Sequence, residues 1–512
     1  MLHHQRVDMK KNKQELINLI IGIFSQAIIL VLGFIVPRIF ISVYGSDVNG
    51  LLSTVAQVFA YVALLESGMS MATRNALYKP LNEKNETDIN KILSASKNYY
   101  RKASIIYVAI VIALSFLLPL VFKTNVDYWT VFAIIILEGM GSALFFFFID
   151  TEICFLNTCG KTSVVNITNL IYRVLCYIIK MVLALCGVNI ILIQVGFFLV
   201  SIVRVLLVRL YVRKKYAWVS THHFEKGFKL PHRRAYLLTE VSWLVFSSTD
   251  AIVLSIFVST SISSVYAVYN MIFVAINALL TAVYEAISYK LGLVYNEDVE
   301  RYKKLHNLFN SFIISITTIL ISVTYWLTNP FIALYTSGIE DVNYVYQYLP
   351  LLFCLVQMLS WSRYVSGNLT SVAGKAKITS IVSLIEALLN VTLSLILVQF
   401  LGIYGVLIAT VSSLPIKVIF TNFLSEKVIL KRKPWKTLAI FGANYTIFGL
   451  TVLAAYFINL NVPSYGYFIA YGFMFVGIYA VLVVGVNLLV NRDLLKLKNL
   501  FKKEKPAKEN KA

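Results

Sequence analysis

Five polar residues recur along one apolar stretch of the sequence, and two of them are cations. Asn166, Asn169, Arg173, Cys176 and Lys180 are spaced three and four apart, so a helix places them on one face. The other faces carry Ile, Leu, Val and Tyr. A cation at the centre of a bilayer costs roughly 2.5–3.5 kcal/mol. We therefore expect this face to be turned away from lipid, toward protein or a water-filled cavity.

The chemistry that suits two such cations is the binding of an anion. Arginine offers a planar fork of donors and lysine a compact positive charge, and both match a diphosphate group. Arg204 on the next apolar stretch, and Arg38 at the end of the first one, are predicted to extend the same anion path. The alternative is structural pairing with acids inside the apolar stretches, namely Glu66, Glu138, Asp250 and Glu386.

Three of these acids are candidates for ion coupling as well as for charge pairing. Asp250 lies near the middle of its apolar stretch, Glu66 lies deeper toward one end, and Glu386 lies within a later stretch. Such a carboxylate takes up a proton or sodium ion if it stands alone, but a neighbouring arginine keeps it ionised. We favour pairing, and the sequence leaves both interpretations open.

The elements that must position these residues are transmembrane helices. The chain is 58% hydrophobic and only 14% charged, whereas a soluble domain has roughly 25% charged residues. A hydrocarbon core of about 30 Å needs about 20 apolar residues in a helix. Fourteen runs of this kind are predicted, near 16–38, 50–72, 103–122, 128–149, 164–186, 189–210, 237–259, 263–288, 306–328, 345–365, 378–400, 403–424, 437–459 and 465–490.

The basic residues set the orientation of these helices. Outside the spans they fall almost entirely in alternate connections, and the opposite connections hold only Lys123. The positive-inside rule then predicts that both termini are cytoplasmic. The formal charge of +21 is thereby explained as a topology signal and an attraction to anionic lipid, and nucleic acid is not needed as a partner.

Two stretches of the sequence are alike, which predicts a parallel repeat. One begins at Gly160 and the other at Gly374, and each has a Gly-Lys turn, a helix, a short turn with Gly and a second helix. At the positions of the polar face the second copy has Ser380, Ser383, Ala387, Asn390 and Ser394, with no cation. We expect the polar faces of both copies to border a water-filled cavity. The predicted fold is an all-α membrane protein with two six-helix lobes around a central cavity and a C-terminal helix pair.

The predicted domain boundaries follow from this organisation. They are a cytoplasmic N-terminus (1–15), an N-lobe (16–211), a basic linker (212–236), a C-lobe (237–425), a basic loop with the last two helices (426–490) and a basic tail (491–512).

The segment VPRIFISVYGSDVNGLLSTVAQVFAYVALLESGMSMATRNAL (36–77) resembles the opening of Wzx-type polysaccharide flippases, members of the multidrug/oligosaccharidyl-lipid/polysaccharide (MOP) exporter superfamily. It has a basic residue ending helix one, a short turn with Gly45 and Gly50, and a helix that closes in Glu66, Gly68 and Arg74. Asp250 followed by VYAVYN is similar to the opening of the second lobe.

The resemblance implies a function and its partners. Two bundles would rock between inward-open and outward-open states and move an undecaprenyl-pyrophosphate-linked oligosaccharide from the inner to the outer leaflet, for capsule, exopolysaccharide or O-antigen-like polymer. Glycosyltransferases inside and a polysaccharide polymerase outside are the implied protein partners.

Two other transporter functions and an enzymatic one are the alternatives. A multidrug extruder of organic cations is disfavoured because the cations of the polar face would repel its substrates. The sequence separates a lipid II flippase poorly from a polysaccharide flippase. An enzyme is not expected, because the longest outside connection, TNPFIALYTSGIEDVNY, is too short for an acceptor-binding domain and no HExxH, Walker or GxSxG motif occurs. No cofactor, metal site or disulfide framework is expected from the five cysteines.

Overall fold

The computed structural model describes residues 2–66, 69–221, 244–245, 248–458, 460–492 and 494. Nearly all of these residues are helical and no strand occurs among them, so the all-helical class is confirmed. The predicted linker over 212–236 is described only as far as residue 221. Gly68 and nearly all of the tail over 491–512 lie outside the described residues.

The first compact unit comprises Met1–Met271 together with Gly338–Asn343 and Leu395–Val406. Its helices are α1 (Leu2–Val62), a 3₁₀ turn (Ala63–Glu66), α2 (Met69–Glu83), α3 (Glu86–Val121), α4 (Tyr128–Phe148), α5 (Asp150–Thr158), α6 (Thr162–Leu185), α7 (Ile190–Lys215), α8 (Ser248–Phe257) and the start of α9 (Thr260–Glu297).

The second compact unit comprises Ile272–Ser337, Tyr344–Ser394 and Leu407–Ala512. It contains most of α9 and the following elements, with short parts of α13 and α14 assigned to the first unit: α10 (Val299–Tyr335), α11 (Leu349–Trp361), α12 (Tyr364–Val372), α13 (Ala376–Leu401), α14 (Ile403–Phe423), a π-helical turn (Leu424–Ile429), α15 (Trp435–Phe457) and α16 (Tyr465–Val490).

Eleven helices of the described chain are long and apolar enough to cross a bilayer. One of them, Ile20–Val62, has a break inside it, while α8 and α11 are shorter apolar helices. Fourteen transmembrane helices are compatible with this inventory. Large apolar side chains such as Leu120, Phe473 and Val481 are more than 70% exposed, as expected for surfaces that contact hydrocarbon. The chain is a multi-pass membrane protein.

The break in α1 is at Gly45, where φ is 83° and ψ is 170°. A side chain disfavours this positive φ, so glycine is the residue that permits the turn. The turn separates the two helices predicted over 16–38 and 50–72. Helix α3 begins well before its apolar run, because the side chain of Asn85 accepts a hydrogen bond from the backbone N–H of Asp88 and caps the helix.

A polar seam joins α1 to α8 and α9 within the first unit. Asn49 Nδ2 donates to Ser264 Oγ at 2.8 Å, and Thr54 Oγ1 lies 2.6 Å from Ser255 Oγ. At Gly50 the helices approach so closely that an added Cβ would collide with the backbone carbonyl of Thr260. Small residues and hydroxyl pairs of this kind hold helices together where lipid gives no hydrophobic drive.

We expect Gly50→Ala to destabilise the protein by about 1–3 kcal/mol, because backbone cannot move aside as a flexible side chain does. The measurement is the midpoint of thermal unfolding of the purified protein in detergent. Gly33→Ala, in the part of α1 before the turn at Gly45, is the matched control, since its Cβ would meet only Tyr177 Oη at 4.0 Å. Equal midpoints for the two variants would contradict the close approach.

The Gly-Lys turns of the predicted repeat have the same backbone geometry. Gly160 has φ of 71° and Gly374 has φ of 72°. The next backbone N–H, of Lys161 or Lys375, donates to the carbonyl five residues earlier at 2.9 or 2.8 Å. Each turn is therefore a Schellman C-cap, in which a left-handed glycine ends a nine-residue helix and the following long helix begins. The turn signal in the two sequence copies thus encodes one local structure.

Candidate functional site

The polar face of α6 lies opposite an apolar exposed face. Exposed apolar residues recur along the helix at Ile167, Ile171, Ile178, Val182 and Leu185. At 100° per residue these five fall about 180° from the polar face predicted by the sequence. On the polar face Cys176 is buried, Lys180 is half-buried and Arg173 is exposed. The helix thus has an exposed apolar side and, opposite to it, a polar side that carries the two cations.

Two of the predicted cations rest on aromatic rings in the first unit. Lys180 Nζ lies 4.5 Å from the ring centroid of Phe197 on α7. Arg204 Cζ lies 4.5 Å from the ring of Phe145 and 5.3 Å from the ring of Tyr172. These contacts attract a cation to the face of the ring but leave its charge uncancelled.

The three rings form one aromatic cluster. Tyr172 meets Phe145 edge-on at 5.4 Å between centroids, and Phe197 is tilted at 6.1 Å from Tyr172. The cluster is contributed by α4, α6 and α7, and α7 packs against both α4 and α6. It fixes the positions of Lys180 and Arg204, because both side chains lie against rings that hold each other.

Arg173, Lys180 and Arg204 have no carboxylate oxygen of a described residue within 4 Å of their charged nitrogens. Glu138 on α4 interacts electrostatically with Tyr172 and Cys176, and Asp150 interacts with Arg204, at longer range. In the described part of this site, Lys180 and Arg204 therefore lie on aromatic faces, and none of the three cations is in a closed ion pair. We name the site formed by Arg173, Lys180 and Arg204 the cation cluster.

Arg38 lies on α1, which packs along α6. It is half-buried, and its neighbours Val36 and Phe40 belong to the apolar core that also includes Ala184 and Ile190. This core places Arg38 near the C-terminal end of α6. Its place on the anion path stays a prediction.

Glu386 is enclosed by two cations in the second unit. Its Oε1 accepts a hydrogen bond from Arg363 Nη1 at 2.5 Å, and its Oε2 lies 3.6 Å from Lys417 Nζ. Glu386 is 2% exposed and Arg363 is 8% exposed. The anchoring of Arg363 at a membrane interface, which its position near a helix end suggests, is replaced by this buried triad. In this triad Glu386 forms charge pairs with both basic side chains.

Asp250 on α8 is buried and has a different environment. Its Oδ2 accepts a hydrogen bond from Tyr266 Oη at 3.1 Å, and no basic nitrogen of the described residues lies within 4 Å of it. Glu66 is the last residue of the 3₁₀ turn, and its side chain lies outside the described part of the chain. An ion-coupling role for these two acids stays a prediction.

The second copy of the polar face differs from the first. Ala387, Asn390 and Ser394 are fully buried, and Asn390 Nδ2 donates to Thr410 Oγ1 on α14 at 2.9 Å. The expectation that this face borders a water-filled cavity is therefore wrong for its C-terminal half. Asn390 links α13 to α14, and the cationic character belongs to the first copy alone.

A second buried ion pair in this unit was not predicted. Arg432 Nε donates to Glu426 Oε2 at 2.5 Å, and its Nη2 donates to Asn307 Oδ1 at 2.7 Å. Thr437 Oγ1 donates to the same carboxylate at 2.6 Å, and buried His306 lies beside it. The pair links α10 to the π-helical turn and α15. Its role is structural, in holding these three elements together, because every charged group in it has a partner within the protein.

Comparison with known proteins identifies the fold. An inward-facing multidrug resistance MATE family transporter of the MOP superfamily superposes with a TM-score of 0.66 at 13% identity, covering 83% of this chain and 96% of that one. The lipid II flippase MurJ in an inward closed conformation superposes with a TM-score of 0.66 at 18% identity, covering 93% and 100%. The chain has the fold of the MOP superfamily transporters.

The MOP fold accommodates binding pockets of different polarity. A MOP superfamily transporter from Pyrococcus furiosus, whose binding pocket is described as having reverse polarity, superposes with a TM-score of 0.52 at 11% identity, covering 83% of this chain and 97% of that one. No protein-family model and no curated protein matches the sequence. The function within the MOP fold must therefore be argued from the residues.

The sequence singles out the three members of the cation cluster, but not the aromatic supports of Lys180 and Arg204. Phe145 stands in the run FFFF, and Phe197 follows Lys180 by 17 residues, across the loop between α6 and α7. Neither spacing indicates a contact. Nothing in the one-dimensional pattern shows which ring of an apolar helix meets a cation on the next helix.

Proposed function

We propose that this protein is a flippase that moves a polyprenyl-pyrophosphate-linked oligosaccharide from the inner to the outer leaflet of the bacterial cytoplasmic membrane by alternating access, for assembly of a surface polysaccharide. The observation that carries the proposal is an asymmetry of charge pairing. The intramembrane cations Arg363 and Lys417 share the carboxylate of Glu386. The cation cluster has no such acid within 4 Å among the described residues.

A cluster of this kind favours an anionic substrate. Charge in a medium of low dielectric constant is costly unless it is compensated, and a protein that retains three such cations gains when an anion binds to them. A lipid diphosphate supplies two phosphoryl groups at one point, which suits the guanidinium groups of Arg173 and Arg204 and the ammonium of Lys180. The aromatic rings behind Lys180 and Arg204 preorganise both donors before the substrate arrives.

The same cluster opposes export of organic cations. A multidrug pump for cations needs acids on its binding surface, and here the charged residues on the polar face of α6 are both bases. No enzymatic step is proposed, and the known structures with this fold that are named above are transporters and a flippase. Both termini are proposed to be cytoplasmic, with glycosyltransferases and a polymerase as partners on the two sides.

A lipid II flippase is the second candidate. It is favoured by the superposition on MurJ, which covers 93% of this chain and the whole of that one. Both candidates use a polyprenyl-diphosphate lipid, so the cation cluster suits either, and the difference lies in the sugar.

The test is leaflet exchange in liposomes that contain the purified protein. Fluorescent polyprenyl-diphosphate oligosaccharide, fluorescent lipid II and an amphipathic cationic dye are compared, with an impermeant quencher reporting the outer leaflet. We expect exchange of the oligosaccharide lipid above the rate in empty liposomes and no dye extrusion. Faster exchange of lipid II would select the second candidate. Dye extrusion under an ion gradient, without lipid exchange, would overturn both.

A further inference from the structure

A cavity of about 390 Å³ lies in the first unit, separate from the cation cluster. It is formed by α3, α5, the end of α7 and the segment that follows α7. The charged residues of its lining are Lys97, Glu152, Arg209 and Arg213.

The cavity lies at the end of the unit that the positive-inside pattern assigns to the cytoplasm. At 1.5 Å per residue, Lys97 is about 36 Å from the far end of α3 at Val121, and Arg209 is about 28 Å from the far end of α7 at Ile190. A hydrocarbon core is about 30 Å thick, so both cations lie at its edge or beyond it. A ligand can therefore reach them from the aqueous phase or from the lipid head-group layer.

The wall of the cavity is held in place by contacts within the protein and does not depend on a ligand. Asn90 on α3 holds the segment after α7 from both sides: its Nδ2 donates to the carbonyl of Trp218 at 3.2 Å, and its Oδ1 accepts from Ser220 N at 2.9 Å. Tyr216 and Trp218 both pack edge-on against Phe155 of α5. Burial raises the pKa of Tyr216 to about 12, so its hydroxyl is a neutral donor at physiological pH.

The lining has an excess of positive charge. The lining contains three cations, Lys97, Arg209 and Arg213, and one carboxylate, that of Glu152, which lies 3.4 Å from Lys97 Nζ. Arg209 is stacked on Phe148, with Cζ 4.7 Å from the ring centroid, and this contact orients its guanidinium without neutralising it. The three cations outnumber the acid by two charges, and the hydroxyl groups of Tyr216, Ser220 and Thr221 add donors.

We propose that this cavity is a binding site for a phosphoryl group, with Arg209 and Arg213 as its principal ligands. The bound group has the charge of a phosphate dianion. It belongs either to an anionic lipid head group or to a soluble phosphate. Two guanidinium forks match phosphate oxygens, and the volume is that of a ligand pocket. The site does not rest on the flippase proposal, because it uses none of the residues of the cation cluster.

The experiment measures binding of inorganic phosphate to the full chain in nanodiscs of phosphatidylcholine, by calorimetry at constant ionic strength. Arg209→Gln with Arg213→Gln is expected to weaken binding at least about tenfold, the loss typical of a charged hydrogen bond. Lys214→Gln with Lys215→Gln removes the same charge from the same helix end but not from the lining, and is expected to bind as wild type does. Thermal unfolding midpoints establish that both variants are folded.

A third variant is expected to change phosphate binding in the opposite direction. Glu152→Gln removes the competing carboxylate and releases Lys97, so it is expected to tighten phosphate binding several-fold, a gain that misfolding cannot produce. Repeating the titration in nanodiscs with phosphatidic acid identifies the source: weaker apparent phosphate binding indicates that the lipid occupies the site, and unchanged binding indicates a soluble phosphate. The proposal is overturned if wild type binds neither phosphate nor phosphatidic acid, or if both double variants weaken binding equally.

Discussion

Replacement of both Arg173 and Lys180 by alanine is expected to lower the rate of lipid exchange roughly hundredfold. Each cation is assigned one charged hydrogen bond to the diphosphate, worth about 1.5–3 kcal/mol, which corresponds to roughly tenfold or more in binding. The measurement is the initial rate of quencher-detected exchange in liposomes of equal protein content. Stability is expected to change little, because Arg173 is exposed and neither cation has an acidic partner within 4 Å among the described residues.

The control for charge is a second double variant, Lys375→Ala with Lys377→Ala. Both residues are exposed at the start of α13, so the same net charge is removed without touching the cation cluster. Arg173→Lys with Lys180→Arg keeps the charges and exchanges the donor geometry, and is expected to retain most of the activity. Wild-type exchange by the double alanine variant would place both cations off the substrate path and leave them as packing residues.

Glu386→Gln is expected to destabilise the second unit by about 3–5 kcal/mol, because removing one partner leaves the opposite charge buried without compensation. Here two positive groups, Arg363 Nη1 and Lys417 Nζ, would be left side by side around an amide. The measurement is the thermal unfolding midpoint in detergent, which is expected to fall sharply. Adding Lys417→Met to Glu386→Gln is expected to recover part of the loss, since one of the two charges is then removed.

The exposed acid Glu340 provides the control for this prediction. Glu340→Gln removes the same charge at an exposed position and is expected to change stability by less than about 0.5 kcal/mol. The comparison also tests ion coupling. If Glu386 served a transported proton or sodium ion, Glu386→Gln would keep a normal unfolding midpoint and lose only the response of transport to an ion gradient.

The polar face of α6 shows how far periodicity carries a prediction. Spacing alone assigned Arg173 and Lys180 to one side of a helix, and the exposed isoleucines on the opposite side agree with it. The same reasoning failed for Ala387, Asn390 and Ser394. A helical period states which residues share a face, but it does not state whether that face meets water or another helix.

The acids show a limit of a different kind. Glu386 and Asp250 are both single carboxylates in apolar runs, and their sequence contexts do not separate them. In the structure Glu386 has two basic neighbours and Asp250 has a tyrosine. One basic neighbour, Arg363, immediately precedes α12, and the other, Lys417, lies in α14. They are separated from Glu386 by 23 and 31 positions in the sequence. Charge pairing across such distances is decided by how helices pack.

The sequence by itself determined the class of protein, the cationic face of α6, the glycine turns of the repeat and the expected orientation in the membrane. These properties are local or additive, since they depend on hydrophobicity, helical period, backbone freedom and counts of charge. Only the tertiary structure decided which cations are neutralised, which rings support Lys180 and Arg204, and that a basic cavity forms beside Asn90. Those outcomes depend on contacts between helices distant in sequence, whose energies are set by the distance between side chains in space.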